Sequence, residues 1–242
     1  MPDTLPPIVV LCGGLGTRLR TAVADRPKVL ADVAGLPFLA HLLDRLAAQG
    51  AQRIVLSAGY RADQIVAFLN AAPAPGLDVT LVAETEPLGT GGALRFARDA
   101  SRLVGPFLAL NGDTFFSGDL AHLASARGDA PVALAVVRVP DVRRYGSVQF
   151  DEAAGAAGAP VTAFEEKGRT GSGWINAGAY ALSSDSLDVL APGQPASFER
   201  EVLVGLTGQA RAVPYPAATF LDIGTPDDYA RAARFLTAAP DS

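Results

Sequence analysis

The chain has 242 residues, of which 49% are hydrophobic and 19% are charged, and it carries a formal net charge of −5. This length and hydrophobic content suit one α/β domain that can bury a sizeable core. Because the basic residues are scattered along an acidic chain, the sequence excludes the basic face of a nucleic-acid-binding protein. An anionic ligand would therefore have to be held by local groups, since the overall field does not attract it.

The chain has a single cysteine, Cys12, which excludes an intrachain disulfide and disfavours a thiolate metal site. Residues 1–7 carry neither the cationic region nor the apolar run of a signal peptide, and no apolar run reaches the length of a membrane span. We therefore expect a cytoplasmic protein with no membrane partner. The sequence leaves open whether it is a monomer or a homo-oligomer.

Short apolar runs alternate with amphipathic segments through the first half of the chain. This pattern predicts strands at Ile8–Leu11, 54–57, 79–82 and 107–110, and helices around 39–46, 65–69 and 93–100. Gly50 can end the first of these helices. Strands that alternate with helices indicate a largely parallel sheet covered on both faces.

The rhythm changes after residue 130. Here the pattern predicts strands at Val132–Val139, Ser147–Phe150, 161–165 and 175–182, with a Gly/Ala-rich turn at 151–160 and helical segments at 197–204 and 225–236. Turns with little helix join these strands, so we expect an added antiparallel portion in this half.

A glycine-rich loop follows the first strand. It contains Gly13, Gly14, Gly16, Thr17 and Arg18. Glycines let a backbone approach a ligand closely, successive N–H groups can form an anion-binding nest, and Arg18 adds a planar donor suited to phosphate. A dinucleotide fingerprint does not fit, because Leu19 stands where a small residue is needed, and a P-loop lacks its Gly-Lys-Ser/Thr. The alternative is a tight strand-to-helix turn with an exposed arginine.

Three charged residues further along are candidates for phosphate and metal chemistry. Pro27 restricts the backbone before Lys28, a mobile point charge that suits a reacting phosphate but could equally be solvated. Asp113 follows a buried strand, where open α/β sheets bind ligands, and Asp222 follows another apolar stretch. Two carboxylates with phosphate oxygens suit Mg²⁺.

Each aspartate also has a purely structural interpretation. Asp113 could belong to a simple turn, and Asp222 could cap the helix that follows it. Thr225 and Asp228 could form a capping pair by themselves, however, which would leave Asp222 free to bind a metal.

The run Gly13-Gly14-Leu15-Gly16-Thr17-Arg18-Leu19, followed by Pro27-Lys28, resembles the opening of the sugar-1-phosphate nucleotidyltransferases. Further similar segments lie at 84–93, 111–116, 144–146, 164–168, 174–180, 197–199 and 220–229, so that the resemblance covers nearly the whole chain. One departure is Thr21, where the family often has proline. The resemblance implies a Rossmann-like GT-A-type three-layer α/β/α fold with a mixed, mostly parallel central sheet.

This resemblance also implies roles for individual residues. The nucleotide-binding set is Gly13, Gly14, Gly16, Thr17, Glu84, Pro87, Gly89 and Thr90, and the sugar-binding set is Asn111, Gly146, Glu166 and Asn176. The catalytic cations are Arg18, Lys28 and Lys167, and the Mg²⁺ ligands are Asp113 and Asp222. We expect a single domain over 1–242, with 1–130 as the nucleotide-binding half and 131–242 as the sugar-phosphate-binding half.

Some of these assignments have structural alternatives. Glu165 and Glu166 alternate on a strand, so at most one faces the site. Tyr145 could pack rather than contact a ligand, and Trp174 could belong to the core. After Glu84, by contrast, Gly89, Gly91 and Gly92 permit close approach of a ligand, so we expect the first turn of the following helix to be open to it.

Glu84 bears on the choice of base, because many members of the family have glutamine there. A carboxylate only accepts hydrogen bonds, so it suits the N1–H and N2–H₂ edge of guanine first and the N3–H of uracil or thymine second. We expect GTP to be favoured. Alternatively, Glu84 and Glu86 are solvated loop acids.

Within the family, the motifs are most similar to the D-glycero-D-manno-heptose 1-phosphate guanylyltransferases. The resemblance then implies that GTP and heptose 1-phosphate give GDP-heptose and pyrophosphate. A mannose-1-phosphate guanylyltransferase, or a UTP- or dTTP-dependent hexose- or MurNAc-1-phosphate enzyme, remains an alternative. A non-catalytic nucleotide-sugar sensor would be expected to lose Arg18, Lys28 or an aspartate, and a GT-A glycosyltransferase to carry Asp-x-Asp, where this chain has Asn111-Gly112-Asp113.

Overall fold

A computed structural model describes residues 5–14, 26–72, 74, 76–165 and 167–238. Its strands are β1 (Ile8–Leu11), β2 (Asp32–Val33), β3 (Leu36–Pro37), β4 (Arg53–Ala58), β5 (Asp78–Ala83), β6 (Phe107–Asn111), β7 (Thr114–Phe116), β8 (Val132–Val139), β9 (Ser147–Phe150), β10 (Ala159–Glu165), β11 (Gly173–Leu182), β12 (Arg211–Pro214) and β13 (Phe220–Asp222).

The α-helices are α1 (Phe38–Ala48), α2 (Ala62–Ala71), α3 (Gly89–Ala100), α4 (Leu120–Arg127) and α5 (Pro226–Ala238). Short 3₁₀ helices lie at Lys28–Leu30, Glu152–Ala157, Ser184–Leu187 and Val204–Leu206, and a π-helix at Phe198–Leu203. None of the helices in these described ranges is long and apolar enough to cross a bilayer.

Nine strands form one sheet in the order β5-β4-β1-β6-β11-β8-β12-β10-β9. The first four run parallel to one another, and β11 then pairs antiparallel with β6. Beyond β11 the pairs are antiparallel except for β12 with β8. The predicted mixed sheet is thus confirmed, with its parallel character concentrated in the first half.

Helices cover both faces of this sheet because its strands are apolar on both sides. Ile8 and Val10 of β1 pack into a core with the leucines of α1, whereas Val9 packs on the other face with Leu94 of α3. Leu39, Leu42, Leu43 and Leu46 are all buried, as the helical spacing predicts. The three-layer architecture follows from this two-sided burial.

Several elements differ from the prediction. α3 begins at Gly89, earlier than predicted, and the segment predicted at 197–204 is a π-helix followed by a 3₁₀ turn. The turn predicted at 151–160 contains a 3₁₀ helix. The ribbon of β7 with β13, the hairpin of β2 with β3, strand β12 and helix α4 had no counterpart in the sequence prediction.

Candidate functional site

Asp113 and Asp222 are brought together by the ribbon of β7 and β13. Asp222 is the last residue of β13 and stands opposite Thr114 of β7, which directly follows Asp113. The N–H of Ile223 donates to the carbonyl of Asp113 at 3.0 Å, which continues the pairing past the strand. The register of one short antiparallel pair therefore places both carboxylates at the end of β6.

Lys28 lies between the two carboxylates. Its Nζ is 2.6 Å from Oδ2 of Asp113 and 3.6 Å from Oδ1 of Asp222, and its side chain is 15% exposed. Pro27 precedes it in an extended conformation and accepts from the N–H of Leu30, so that Lys28 starts a 3₁₀ turn. The alternative of a solvated lysine is wrong.

The two carboxylates also influence each other electrostatically. Burial, and then the charge of Asp113, raise the pKa of Asp222, whereas Lys28 and the N–H of Gly224 at 2.6 Å lower it. Such a pair of acids needs a cation nearby, and its oxygen donors suit Mg²⁺. Among the described residues no cluster of three or more His, Cys, Asp or Glu could hold a metal. A metal here would thus take further ligands from a substrate or water.

The structural alternative for Asp222 is also settled. Thr225 donates from Oγ1 to Oδ2 of Asp228 at 2.7 Å and accepts from the N–H of Asp228 at 3.3 Å. The predicted capping pair of α5 is confirmed, and Asp222 is not needed as a cap.

A cleft of about 420 Å³ lies where β1 and β5 end and α3 begins. It is lined by Leu11, Gly13, Gly14, Gly59, Tyr60, Glu84, Thr85, Glu86, Pro87, Gly89, Thr90 and Ala93. The lining includes every residue of the predicted nucleotide-binding set that the structure describes. Gly16, Thr17 and Arg18 lie outside the described residues.

Glu84 is half-buried in this cleft, whereas Glu86 is exposed. The Oε2 of Glu84 accepts from the N–H of Leu88 at 2.9 Å, and the Oε1 of Glu84 accepts from Oγ of Ser57 at 3.4 Å. Burial raises the pKa of Glu84, and these two hydrogen bonds oppose the rise. A Cβ at Gly13 would lie 3.2 Å from Oε1, so glycine leaves space for the carboxylate.

The first turn of α3 is not open to a ligand as predicted. The carbonyl of Ala196 accepts from the N–H of Gly91 at 2.8 Å and of Gly92 at 3.3 Å. A Cβ at Gly89 would lie 2.6 Å from that carbonyl oxygen, and one at Gly92 would lie 2.6 Å from the carbonyl oxygen of Gln194. The prediction that these glycines admit a ligand is therefore wrong for Gly91 and Gly92, which allow the chain at 194–198 to pack closely against α3. Gly89 lines the cleft and also contacts this chain segment.

Thr90 joins the cleft to Glu199, a residue to which the sequence assigns no individual role. Its Oγ1 donates to Oε2 of Glu199 at 2.8 Å and accepts from the N–H of Phe198 at 2.9 Å. Oγ of Ser197 donates to the same Glu199 oxygen at 3.1 Å. The segment Ser197-Phe198-Glu199 already resembled the family, but the sequence could not show that Glu199 contacts Thr90, which is 109 residues away.

Asn111 and Asn176 are brought together by an irregularity in β11. The pairing of β11 with β8 shifts register between Asn176 and Tyr180, and Gly178 there has φ 70°. A Cβ at Gly178 would lie 2.6 Å from Nδ2 of Asn111. Asn176 accepts from the N–H of Gly178 and donates to the Tyr180 hydroxyl at 2.8 Å. β-Bulges often aim side chains at active sites in this way.

Of the remaining sugar-side residues, Gly146 and Lys167 lie near the paired ends of β9 and β10. A Cβ at Gly146 would lie 2.9 Å from the carbonyl oxygen of Glu165. The Glu165 carboxylate accepts hydrogen bonds from Ser147 at 2.5 Å and from Gln149 at 2.9 Å, so this side chain links β10 to the neighbouring strand β9. Lys167 is exposed and forms no ion pair with any residue of the described ranges. Glu166 lies outside these ranges.

Two aromatic residues left open by the sequence have packing roles. The Tyr145 ring stacks edge-on against Phe220 at 5.7 Å, and the Trp174 ring against Phe150 at 5.6 Å. Tyr145 also lines a second cleft, of about 530 Å³, which includes Asp222.

A sequence model of the family described as nucleotidyl transferase matches residues 8–239. The chain is 38% identical over 230 residues to a mannose-1-phosphate guanylyltransferase of Mycobacterium tuberculosis, a match that covers 92% of this chain but 62% of that protein. It is 35% identical over 226 residues to a D-glycero-alpha-D-manno-heptose 1-phosphate guanylyltransferase of Campylobacter jejuni, covering 91% of this chain and 96% of that protein. A crystal structure of HddC from Yersinia pseudotuberculosis complexed with GMP-PN aligns with a TM-score of 0.84 at 37% identity, over 96% of this chain and 100% of that one.

Proposed function

Because the chain belongs to the nucleotidyl transferase family, we propose that it transfers a nucleoside monophosphate from a nucleoside triphosphate to a sugar 1-phosphate and releases pyrophosphate. The observation that carries this proposal is Lys28, held within 3.6 Å of both Asp113 and Asp222. A cation and two carboxylates at the end of a parallel strand, near a glycine-lined cleft, are the groups that phosphoryl chemistry requires.

We propose GTP as the donor. The half-buried Glu84 can only accept hydrogen bonds when ionised, which matches the donor edge of guanine. Relatives named as guanylyltransferases support the same base. UTP or dTTP is the second candidate, through the single N3–H donor.

We propose D-glycero-alpha-D-manno-heptose 1-phosphate as the acceptor. A relative with this activity in its name aligns over nearly its whole length. Mannose 1-phosphate is the alternative, supported by the M. tuberculosis relative, of which the chain spans 62%. In either case Asn111, Asn176, Gly146 and Glu166 are the proposed contacts to the sugar.

In the proposed reaction, an oxygen of the sugar phosphate attacks the α-phosphorus of the nucleotide as its bond to pyrophosphate breaks. Catalysis then consists of positioning and charge neutralisation. Lys28 stabilises charge at the α-phosphate and Lys167 aligns the attacking phosphate. By their place in the glycine loop, Gly14, Gly16 and Arg18 hold the leaving phosphates.

The proposed mechanism uses no protein nucleophile, and it assigns no role to Cys12, His41 or His122. Burial, assisted by Asp113, raises the pKa of Cys12 to about 12. The Nε2 atoms of the two histidines are hydrogen-bonded to backbone carbonyls, that of His41 to Val33 and that of His122 to Ala156.

We further propose that Asp113 and Asp222 hold Mg²⁺, which would neutralise charge on the phosphate oxygens. We also propose that the chain is a single domain with its nucleotide half at 1–130 and its sugar half at 131–242. The lone buried cysteine suits a reducing compartment such as the cytoplasm.

The test is a matrix of GTP, UTP, dTTP, ATP and CTP against several sugar 1-phosphates, measured as pyrophosphate release. We expect the highest kcat/KM with GTP and the heptose 1-phosphate. Equal turnover with UTP and GTP would remove the proposed role of Glu84. Binding of GDP-sugars without pyrophosphate release from any pair would favour a sensor instead.

A further inference from the structure

The loop before Gly146 contacts the chain on both sides of Asp222. On one side, the Tyr145 ring packs edge-on against Phe220, two residues before Asp222. On the other side, the Arg144 guanidinium donates hydrogen bonds to both carboxylate oxygens of Asp228, which follows Asp222 in the chain; the bond to Oδ1 is 3.2 Å long. These contacts bracket a candidate metal ligand from a loop that is distant in sequence.

The contact between Arg144 and Asp228 is bidentate and well shielded on the acidic side. The Asp228 side chain is 7% exposed, and Nη2 of Arg144 also donates to Oγ1 of Thr225 at 3.4 Å. Thr225 and Asp228 form the cap of α5, which begins directly after the Asp222 turn. Arg144 therefore ties the start of α5, and with it the end of β13, to the loop.

The strand that carries Asp222 is short, and its other support comes from the Asp113 carbonyl, which accepts from Ile223, and from a small core that contains Leu221 and Ile223. β13 is three residues long and pairs only with β7 within the described part of the chain. Next to Arg144, the same loop also contacts the segment that follows β10, because the N–H of Gly168 donates to the carbonyl of Arg143 at 3.1 Å. Gly168 follows Lys167, the proposed ligand of the sugar phosphate.

We propose that Arg144 is a positioning residue that fixes the Asp222 carboxylate relative to Asp113 and couples it to the segment of Lys167 and Gly168. This inference rests on the proposed function, because it assumes that Asp222 binds a divalent cation. Arg144 itself need not touch a substrate. Residues that orient a metal ligand typically contribute 10- to 100-fold to metal affinity.

The chain offers a matched control in the neighbouring Arg143. It lines the same cleft as Arg144, but it is exposed and its guanidinium bonds Asp141 at 2.7 Å rather than α5. Arg143→Ala therefore removes the same charge from the same cleft without releasing the Asp222 segment.

The experiment measures Mn²⁺ affinity by electron paramagnetic resonance, with GTP present, for the full chain. We expect Arg144→Ala and Asp228→Asn each to weaken Mn²⁺ binding by about tenfold or more, and the double variant to be little worse than either. Arg143→Ala should stay within about twofold of wild type. Arg144→Lys, which keeps the charge but loses the bidentate geometry, should be intermediate.

A second readout separates positioning from general destabilisation. Raising Mg²⁺ should restore turnover of Arg144→Ala, while KM for GTP at saturating Mg²⁺ should stay near wild type. If Arg144→Ala does not fold, Arg144→Lys and Asp228→Asn carry the same test.

The possible failures are distinguishable. Mn²⁺ affinity that falls in Asp222→Asn but not in Arg144→Ala, Arg144→Lys or Asp228→Asn overturns the positioning role alone. Mn²⁺ affinity that is unchanged in Asp222→Asn overturns the metal site, and the role of Arg144 with it.

Discussion

The Asp222 carboxylate is 29% exposed and shares its surroundings with Asp113. Its ionised form is therefore disfavoured in the folded protein, and Lys28 compensates only in part. Since its pKa is higher folded than unfolded, the folded state binds more protons between the two values. The resulting cost in folding free energy is absent at pH values below the usual carboxyl pKa, grows as the pH rises through this window and is complete above the raised pKa.

Asp222→Asn should therefore raise the thermal midpoint by a few degrees at pH 7 without divalent cations. The amide oxygen can still accept from Gly224, and Lys28 keeps Asp113. The gain should vanish as the pH falls below the usual carboxyl pKa, while turnover is lost. Scanning calorimetry across pH checks this, with the exposed Asp129→Asn as control. A destabilised Asp222→Asn at pH 7 would contradict the assignment.

Glu84→Gln should lower kcat/KM for GTP by about 10- to 100-fold and that for UTP by less, because one acceptor for the guanine edge is lost. The amide oxygen can still accept from Leu88. Competition between GTP and UTP measures the change. Glu86→Gln, on the exposed neighbour in the same cleft, is the control. Equal effects on both nucleotides would rule out base recognition by Glu84.

At the scale of elements, α3 shows how a motif can be misread. Alanine normally stabilises a helix interior by about 1 kcal/mol relative to glycine. At Gly92, however, a Cβ would lie 2.6 Å from the carbonyl oxygen of Gln194 and 3.0 Å from Cβ of Leu88. Leu88 is buried, and the chain just after Gln194 is hydrogen-bonded to α3 through Ala196, so relief of these contacts has to move α3 or the chain at 194–198.

Gly92→Ala should consequently destabilise the protein by about 1–3 kcal/mol. It should also raise KM for the nucleotide, because Thr90 is tied to the displaced segment. Gly205→Ala, where no atom lies within 4 Å of the added Cβ, should change stability by less than about 0.5 kcal/mol. Urea denaturation of the two variants provides the comparison. A Gly92→Ala protein as stable as wild type would show that the packing is loose.

The sequence predicted those elements whose signal is local. The apolar run of β1 and the leucine spacing of α1 both appear where expected. The capping pair of Thr225 and Asp228 was also predictable, because its partners are three residues apart.

What the sequence could not predict depends on distant partners. The glycines of α3 face a segment about a hundred positions away, so their role could not be separated from ligand binding. The ribbon of β7 with β13 joins two three-residue strands, too short for a periodic pattern. Asp113 and Asp222 were both identified as candidates, but their proximity depends on that ribbon.

At the scale of the whole molecule, the two halves of the sheet share one hydrogen-bonded boundary. β11 of the second half pairs antiparallel with β6 of the first, and Phe198 packs in the same core as Leu94 of α3. The candidate site lies where this boundary meets the end of β1, so neither half holds all of its residues.

We therefore expect the chain to unfold in one cooperative transition, with equal calorimetric and van't Hoff enthalpies. Differential scanning calorimetry tests this. Two separable transitions, one for 1–130 and one for 131–242, would instead describe two independent domains.

The whole chain carries a net charge of −5, so substrate phosphates must be attracted by a few local cations. The claim that Lys28 and the two aspartates form the catalytic site is tested most directly by measuring pyrophosphate release from GTP and the heptose 1-phosphate. The proteins to compare are wild type, Lys28→Ala and Asp113→Asn, with Arg143→Ala as a control for the loss of a cation. We expect wild type and Arg143→Ala to release one pyrophosphate per GDP-sugar formed, and the two site variants to be slower by roughly 10²–10³. Near-full turnover by Lys28→Ala or Asp113→Asn would contradict the account.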